Sequence, residues 1–284
     1  MTLKTVFTLL LFASLIQCDV IETSRIPDYP ITIDPLPLLT LDDLNREYHQ
    51  LNNGTLCSTL NEFGYTGFSR ILFPNDINPC ADRVPDKIEL ANPEPLIRLA
   101  KQSILFNAKF TNVTDSSSLQ IKELVPLYGC TICEGPETNS VPLEWKIIFQ
   151  NQSYQSISVS ESEIIVFVDS KGVNRIWGNW YEEIYAPGLL DVGYIEARET
   201  VIGEEVSLVE LTEQDSVLFI TNEMVGQPDN FEIVPYKNKN NQLELRKAWI
   251  VPISYKNQHY AGINAYVDAV DGVLLNYKAI VSEE

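Results

Sequence analysis

Asn264-Ala265-Tyr266-Val267-Asp268-Ala269-Val270-Asp271-Gly272-Val273 reads as a strand that runs into an acidic turn, closes on glycine and resumes with apolar residues. Earlier in the chain, Ile164-Ile165-Val166-Phe167-Val168-Asp169-Ser170-Lys171-Gly172-Val173 has the same form. Each stretch follows a Trp-led apolar segment, Trp249-Ile250-Val251-Pro252-Ile253 in the later case and Trp145-Lys146-Ile147-Ile148-Phe149 in the earlier. Further back, each is preceded by a helix-like segment. A recurring order of elements implies duplicated modules, with function in the modules or in the groove between them.

Ahead of the earlier stretch, Asn92-Pro93-Glu94 offers a helix start: an Asn cap, a Pro in the first turn and an acid at the positive end of the dipole. Leu96, Leu99, Ala100, Ser103 and Ile104 then recur at helical spacing. Strands are expected over Leu119–Val125, Leu143–Gln150, Ser153–Val159, Ile164–Asp169 and Val173–Trp177. In the later half, Asp191–Ile202 can form a helix capped by Asp191 and stopped at Gly203. Strands are expected over Glu205–Leu211, Val217–Asn222, Leu243–Tyr255, Ala261–Asp268 and Val273–Ala279. The fold class is therefore α+β: two tandem modules, each one helix packed on an antiparallel sheet. A sheet with one apolar face needs a cover, and one amphipathic helix supplies it.

The order helix, antiparallel sheet and closing Tyr266-Val267-Asp268-Ala269-Val270-Asp271-Gly272-Val273-Leu274 hairpin resembles the PepSY domain, with one extra residue before the glycine. Phe167-Val168-Asp169-Ser170-Lys171-Gly172-Val173 matches the same hairpin more loosely. The resemblance spans roughly residues 92–284. It implies a cystatin-like fold in each module, and peptide binding or peptidase inhibition as the activity. The family brings no catalytic residues, so none carry over.

The remaining segments divide as follows. Residues 1–18 combine Lys4 with a short apolar run from Val6 to Ile16, the form of a signal peptide and too short for a stable membrane span. Leu15-Ile16-Gln17-Cys18 resembles a lipobox, although Gln17 stands where a small residue is usual. Lipidation of Cys18 would leave an exported, membrane-anchored lipoprotein of the periplasm or cell envelope. Cleavage near Cys18 would give free secretion, and an uncleaved anchor is the third outcome. Residues 19–50 carry Pro27, Pro30, Pro35 and Pro37 and are expected to be a tether. Residues 51–92 are expected to be an irregular cap pinned by cysteines, ahead of modules at 93–188 and 189–284.

Five cysteines are present. With Cys18 lipidated or removed, Cys57, Cys80, Cys130 and Cys133 form an even set suited to an oxidising compartment. Pairing Cys57 with Cys80 and Cys130 with Cys133 closes local loops. A redox CxxC is disfavoured, because Glu134-Gly135-Pro136 supplies turn chemistry and negative charge instead of a helix N-terminus. A zinc site lacks a second close pair.

Charge and motifs narrow the function. Twenty basic residues against 39 acidic ones give a net charge of −19, which disfavours a phosphate backbone as partner. Asp268–Gly272 holds too few oxygens for an EF-hand loop and reads as a hairpin turn. No metal and no cofactor is expected. His49 and His259 are the two histidines, and no nucleophile elbow, HExxH, Walker loop or GxGxxG accompanies them. Asn53-Gly54-Thr55, Asn112-Val113-Thr114 and Asn151-Gln152-Ser153 fit the glycosylation sequon, as chance allows in so Asn-rich a chain. Trp177, Trp180, Tyr181 and Tyr185 cluster between the modules as candidate binding residues or as interdomain packing. The leading expectation is a non-enzymatic exported protein that binds a peptide or protein partner, with a secreted peptidase among the candidates. A purely structural envelope scaffold and a carboxylate-dependent hydrolase are the alternatives.

Overall fold

The structure is a computed structural model and describes residues 28–67, 86–90, 92–130, 139–178, 180–212, 216–228, 230–255 and 260–281. The signal segment 1–18 with Cys18, and also Cys80, Cys133 and His259, lie outside these residues. The fold is α+β.

The stretch expected to be a tether is built into the body. It contains strand β1 (Ile31–Ile33) and helix α1 (Leu38–Leu51), whose Leu41, Asn45 and Tyr48 are buried. The prolines mark boundaries here and do not break the helix. Pro37 occupies the position just before its first turn, where a missing N–H costs nothing. Short strands β2 (Thr59–Leu60) and β3 (Thr66–Gly67) follow and pair with each other. Cys57 and Cys130 are each disulfide-bonded.

Helix α2 (Glu94–Phe106) begins after Pro93 and buries Ala100 and Ile104. It ends at Asn107, and a short helix α3 (Ala108–Thr111) continues the chain. The ends of α1 and α2 are tied by a reciprocal amide pair. Asn52 Nδ2 donates to Asn107 Oδ1 at 2.6 Å, and Asn107 Nδ2 donates to Asn52 Oδ1 at 3.1 Å. Strands β4 (Ile121–Gly129), β5 (Val141–Phe149), β8 (Ile164–Asp169) and β9 (Gly172–Gly178) form an antiparallel sheet in that order, with β6 (Ser153–Tyr154) and β7 (Ile157–Val159) interposed in sequence. One face carries Trp145, Ile147, Phe149, Ile164, Val166 and Val168 against α1 and α2 in a continuous core.

The second sheet is built from β12 (Phe231–Lys237), β13 (Leu243–Ile253), β14 (Tyr260–Asp268) and β15 (Leu274–Val281). Helix α4 (Tyr194–Val201) lies on it and shares a core of Ala197, Val201, Val251, Ile253, Ile263 and Val267. Asp191 does not cap this helix. Gly193 does, its N–H donating to Glu196 Oε2 at 2.7 Å, so the start is two residues later than the sequence suggests. Glu205–Leu211 is not one strand: β10 (Glu205–Ser207) pairs with β11 (Val217–Phe219), and a single helical turn, α5 (Val209–Thr212), separates them.

The two halves are interlocked. Ser153–Val159 is broken by Gln155 and Ser156, both at positive φ (49° and 68°), which makes a tight hairpin of β6 and β7. Strand β7 leaves the first sheet and pairs in parallel with β12, Ser158 opposite Glu232 and Val159 opposite Ile233. At the other side β1 pairs with β13 over Leu243–Leu245, just beyond the end of the β13–β14 pairing at Ala248. The second sheet therefore has seven strands, three of which, β1, β6 and β7, come ahead of residue 160. Val159, Tyr181, Ala186, Ile233, Leu243 and Leu245 form a shared core at this seam.

Candidate functional site

The acidic turn between β14 and β15 is a buried polar junction. Asp268 is fully buried. Its Oδ1 accepts from the N–H groups of Val270 (2.7 Å) and Asp271 (3.1 Å), which shapes the turn into Gly272. Its Oδ2 accepts from Arg246 (3.0 Å) and from the Tyr29 hydroxyl (3.1 Å). The same hydroxyl accepts from the Lys247 N–H at 2.8 Å, so Tyr29 pins the start of the described chain to the second sheet. Burial, followed by the Asp268 charge, raises the Tyr29 pKa. Arg246 also reaches Glu244 (2.5 Å) and Asp271 (2.7 Å). All carboxylates here are occupied by protein donors, so the cluster holds the fold together. Asp169 in the first half does a smaller version of the task, accepting from the Lys171 N–H (2.8 Å) and from Asn174 (3.0 Å).

The four aromatic candidates do not assemble into one platform. Trp177 lies against Phe167, ring centroids 4.5 Å apart, with the Arg175 guanidinium 4.1 Å from the Phe167 ring. Tyr181 is buried at the seam, edge-on to Tyr65 at 5.9 Å. Tyr185 is half-buried. Trp180 packs on the first core and, with Tyr181, lines a cleft of about 730 Å³ beside α3 and β6. Gln152 holds this wall in place. Its side-chain amide donates to the Tyr181 carbonyl and accepts from the Tyr181 N–H, both at 2.8 Å, as a neighbouring strand would. Asn112, Thr114 and Gln152 line the same cleft, and no linear spacing in the sequence brings them to Trp180.

Acid–base chemistry finds little footing. The Glu232 carboxyl is pushed above its ordinary range, chiefly by burial, and Tyr266 hydrogen-bonds to it. Glu232 lies away from the cleft, where Glu182 is the one carboxylate in the lining. His49 sits half-buried at the end of α1, and burial lowers its pKa. Among the described residues, no group of three or more His, Cys, Asp or Glu could hold a metal, and no helix is long and apolar enough to cross a membrane.

The sheet edges differ. The β9 edge is covered: the Cys57 N–H donates to the Asn174 carbonyl (2.6 Å), and the Ile176 N–H donates to Ser58 Oγ (3.1 Å). The β4 edge contains Pro126, which blunts strand pairing; register shifts twice along β4–β5, as it does along β14–β15. Strand β15 ends the second sheet with no proline, one charged residue in Lys278, and exposed Ile280 and Val281.

Among solved structures, the chain is similar to the Bacillus megaterium YpeB C-terminal domain, with a TM-score of 0.32 and 10% identity over 70% of this chain and 69% of that one. It is also similar to an uncharacterized protein from Eubacterium rectale ATCC 33656, with a TM-score of 0.30 and 11% identity over 67% of this chain and 57% of that one. No family model matches the chain, and no curated protein matches it in sequence. Similarity at this level assigns neither a family nor an activity.

Proposed function

We propose that the chain is an exported envelope protein, built from two PepSY-like, cystatin-like modules, that holds a peptide or protein partner as an added strand and catalyses no reaction. The observation that carries this reading is the position of β15: eight residues at the end of the second sheet, without a proline such as the Pro126 that blunts β4. Such an edge gives affinity through backbone hydrogen bonds, while alternate side chains give selectivity. This needs no catalytic constellation, in keeping with carboxylates that are tied up in the fold. A secreted peptidase is the partner class implied by the PepSY resemblance. Lipidation at Cys18, with disulfides Cys57–Cys80 and Cys130–Cys133, belongs to the same reading.

A photo-crosslinking residue placed at Lys278, on the β15 edge, is expected to capture a discrete partner from native envelopes. The same residue at Lys122, on the β4 edge, is expected to capture none. Equal capture at both positions, or none at Lys278, refutes strand addition at β15.

A further inference from the structure

The cleft beside Trp180 lies apart from the β15 edge and has its own chemistry. Trp180 is anchored from behind by the first core, and the following residue is clamped by Gln152, so the indole is held as a fixed wall. Three polar groups in the lining have no partner among the described residues: the Trp180 indole N–H, the Asn112 amide and the Thr114 hydroxyl. Asn112 is held in a left-handed conformation (φ 56°) where α3 ends. Together these groups supply donors and acceptors of both kinds around a flat ring.

Charge selects among ligands. Lys109, the one cation in the lining, already binds both carboxylate oxygens of Glu47, at 2.5 and 2.6 Å. An anionic ligand would find no unpaired cation there. Glu182, exposed at the rim, can accept hydrogen bonds from hydroxyls. The one strand contributing to the lining is β6, two residues long, which offers an extended peptide almost no edge to pair with. An apolar ligand would leave the amide, hydroxyl and indole N–H without partners, at a cost for each group. A ring with apolar C–H faces and hydroxyl edges satisfies both the indole plane and the polar groups. The volume falls within the usual range for ligand clefts. We propose that this cleft binds a neutral saccharide, stacked on Trp180 and hydrogen-bonded by Asn112 and Thr114.

The test is titration of the full chain with chitopentaose, maltopentaose, cellopentaose, xylopentaose and mannopentaose, and with a neutral glycan array, followed by tryptophan fluorescence and calorimetry. Saturable binding to at least one glycan is expected. Trp180→Ala and Asn112→Ala should each weaken it about tenfold or more. Trp177→Ala, on the opposite face of the first sheet, should leave it unchanged. Trp180→Phe keeps a packed ring and serves if the alanine variant does not fold; it should weaken binding less than Asn112→Ala. No saturable binding to any glycan overturns the proposal, as does binding indifferent to both Trp180 and Asn112. Tighter binding of an anionic oligosaccharide such as pentagalacturonate would also overturn it. Crosslinking at Lys278 is read separately, so either site can fail alone.

Discussion

Asp268→Ala removes the acceptor at the centre of the second hairpin, and the structure sets the size of the loss. Four donors face this carboxylate: two turn amides, the Arg246 guanidinium and the Tyr29 hydroxyl. The turn amides are part-buried and can recover some hydration. Arg246 retains Glu244 and Asp271. The Tyr29 hydroxyl still accepts from Lys247 but loses its own acceptor within a buried setting. Removing one member of a buried, hydrogen-bonded charge cluster costs about 3–5 kcal/mol. Asp268→Asn keeps the oxygen that shapes the turn and should cost about half as much. Urea unfolding followed by fluorescence measures both. A cycle with Tyr29→Phe should give a coupling of about 1 kcal/mol, since the two groups touch. If Asp268→Ala shifts stability by under about 1 kcal/mol, or if Asn is as harmful as Ala, the view of this residue as a structural keystone is wrong.

Three further outcomes follow from other parts of the fold. Gly178→Ala should destabilise by about 3 kcal/mol in the same assay, because φ is +135° and an added Cβ would lie 2.1 Å from the Glu163 carbonyl oxygen. A fragment of residues 28–188 should keep slow hydrogen exchange in α2, β5 and β8. It should lose it in β7, whose partner β12 is gone and whose seam core is opened. For His49, burial lowers the folded-state pKa below the unfolded one, so the unfolded chain binds the proton more readily. Stability should therefore fall as pH drops below about 6.5, and His49→Gln should flatten that part of a thermal-melt pH series.

Local patterns carried much of the fold. Ile164–Asp169 is a strand over the expected residues, because an apolar run that ends in an Asp–Gly turn specifies its own limits. The helix near Asn92 was legible from Pro93 and the spacing of Ala100 and Ile104. Helix α1 was not, because four prolines nearby outweighed Leu41, Leu44 and Tyr48, although Pro37 only marks its start. Strand β12 was hidden by Pro235. That residue is tolerated because it pairs with Leu245 on one side, while β7 has ended by Ile233 on the other. The departure of β7 to the other sheet has no local signal at all. Within the cleft, Trp180 and Tyr181 were visible as aromatic residues at a module boundary. Asn112 and Thr114 showed only as a sequon, because long-range packing alone brings them to the same wall.

Tyr29 and Asp268 lie 239 positions apart, yet they share one hydrogen bond. A ribosome delivers β1 among the earliest parts of the described chain and its partner β13 among the last. Throughout synthesis Ile31 and Ile33 must wait with their backbone groups unmatched, open to chaperones or to a neighbouring copy. Closure of the second sheet then becomes the late, slow event that such distant pairings impose. Crowded or hurried production would be expected to yield strand-exchanged dimers joined through β1.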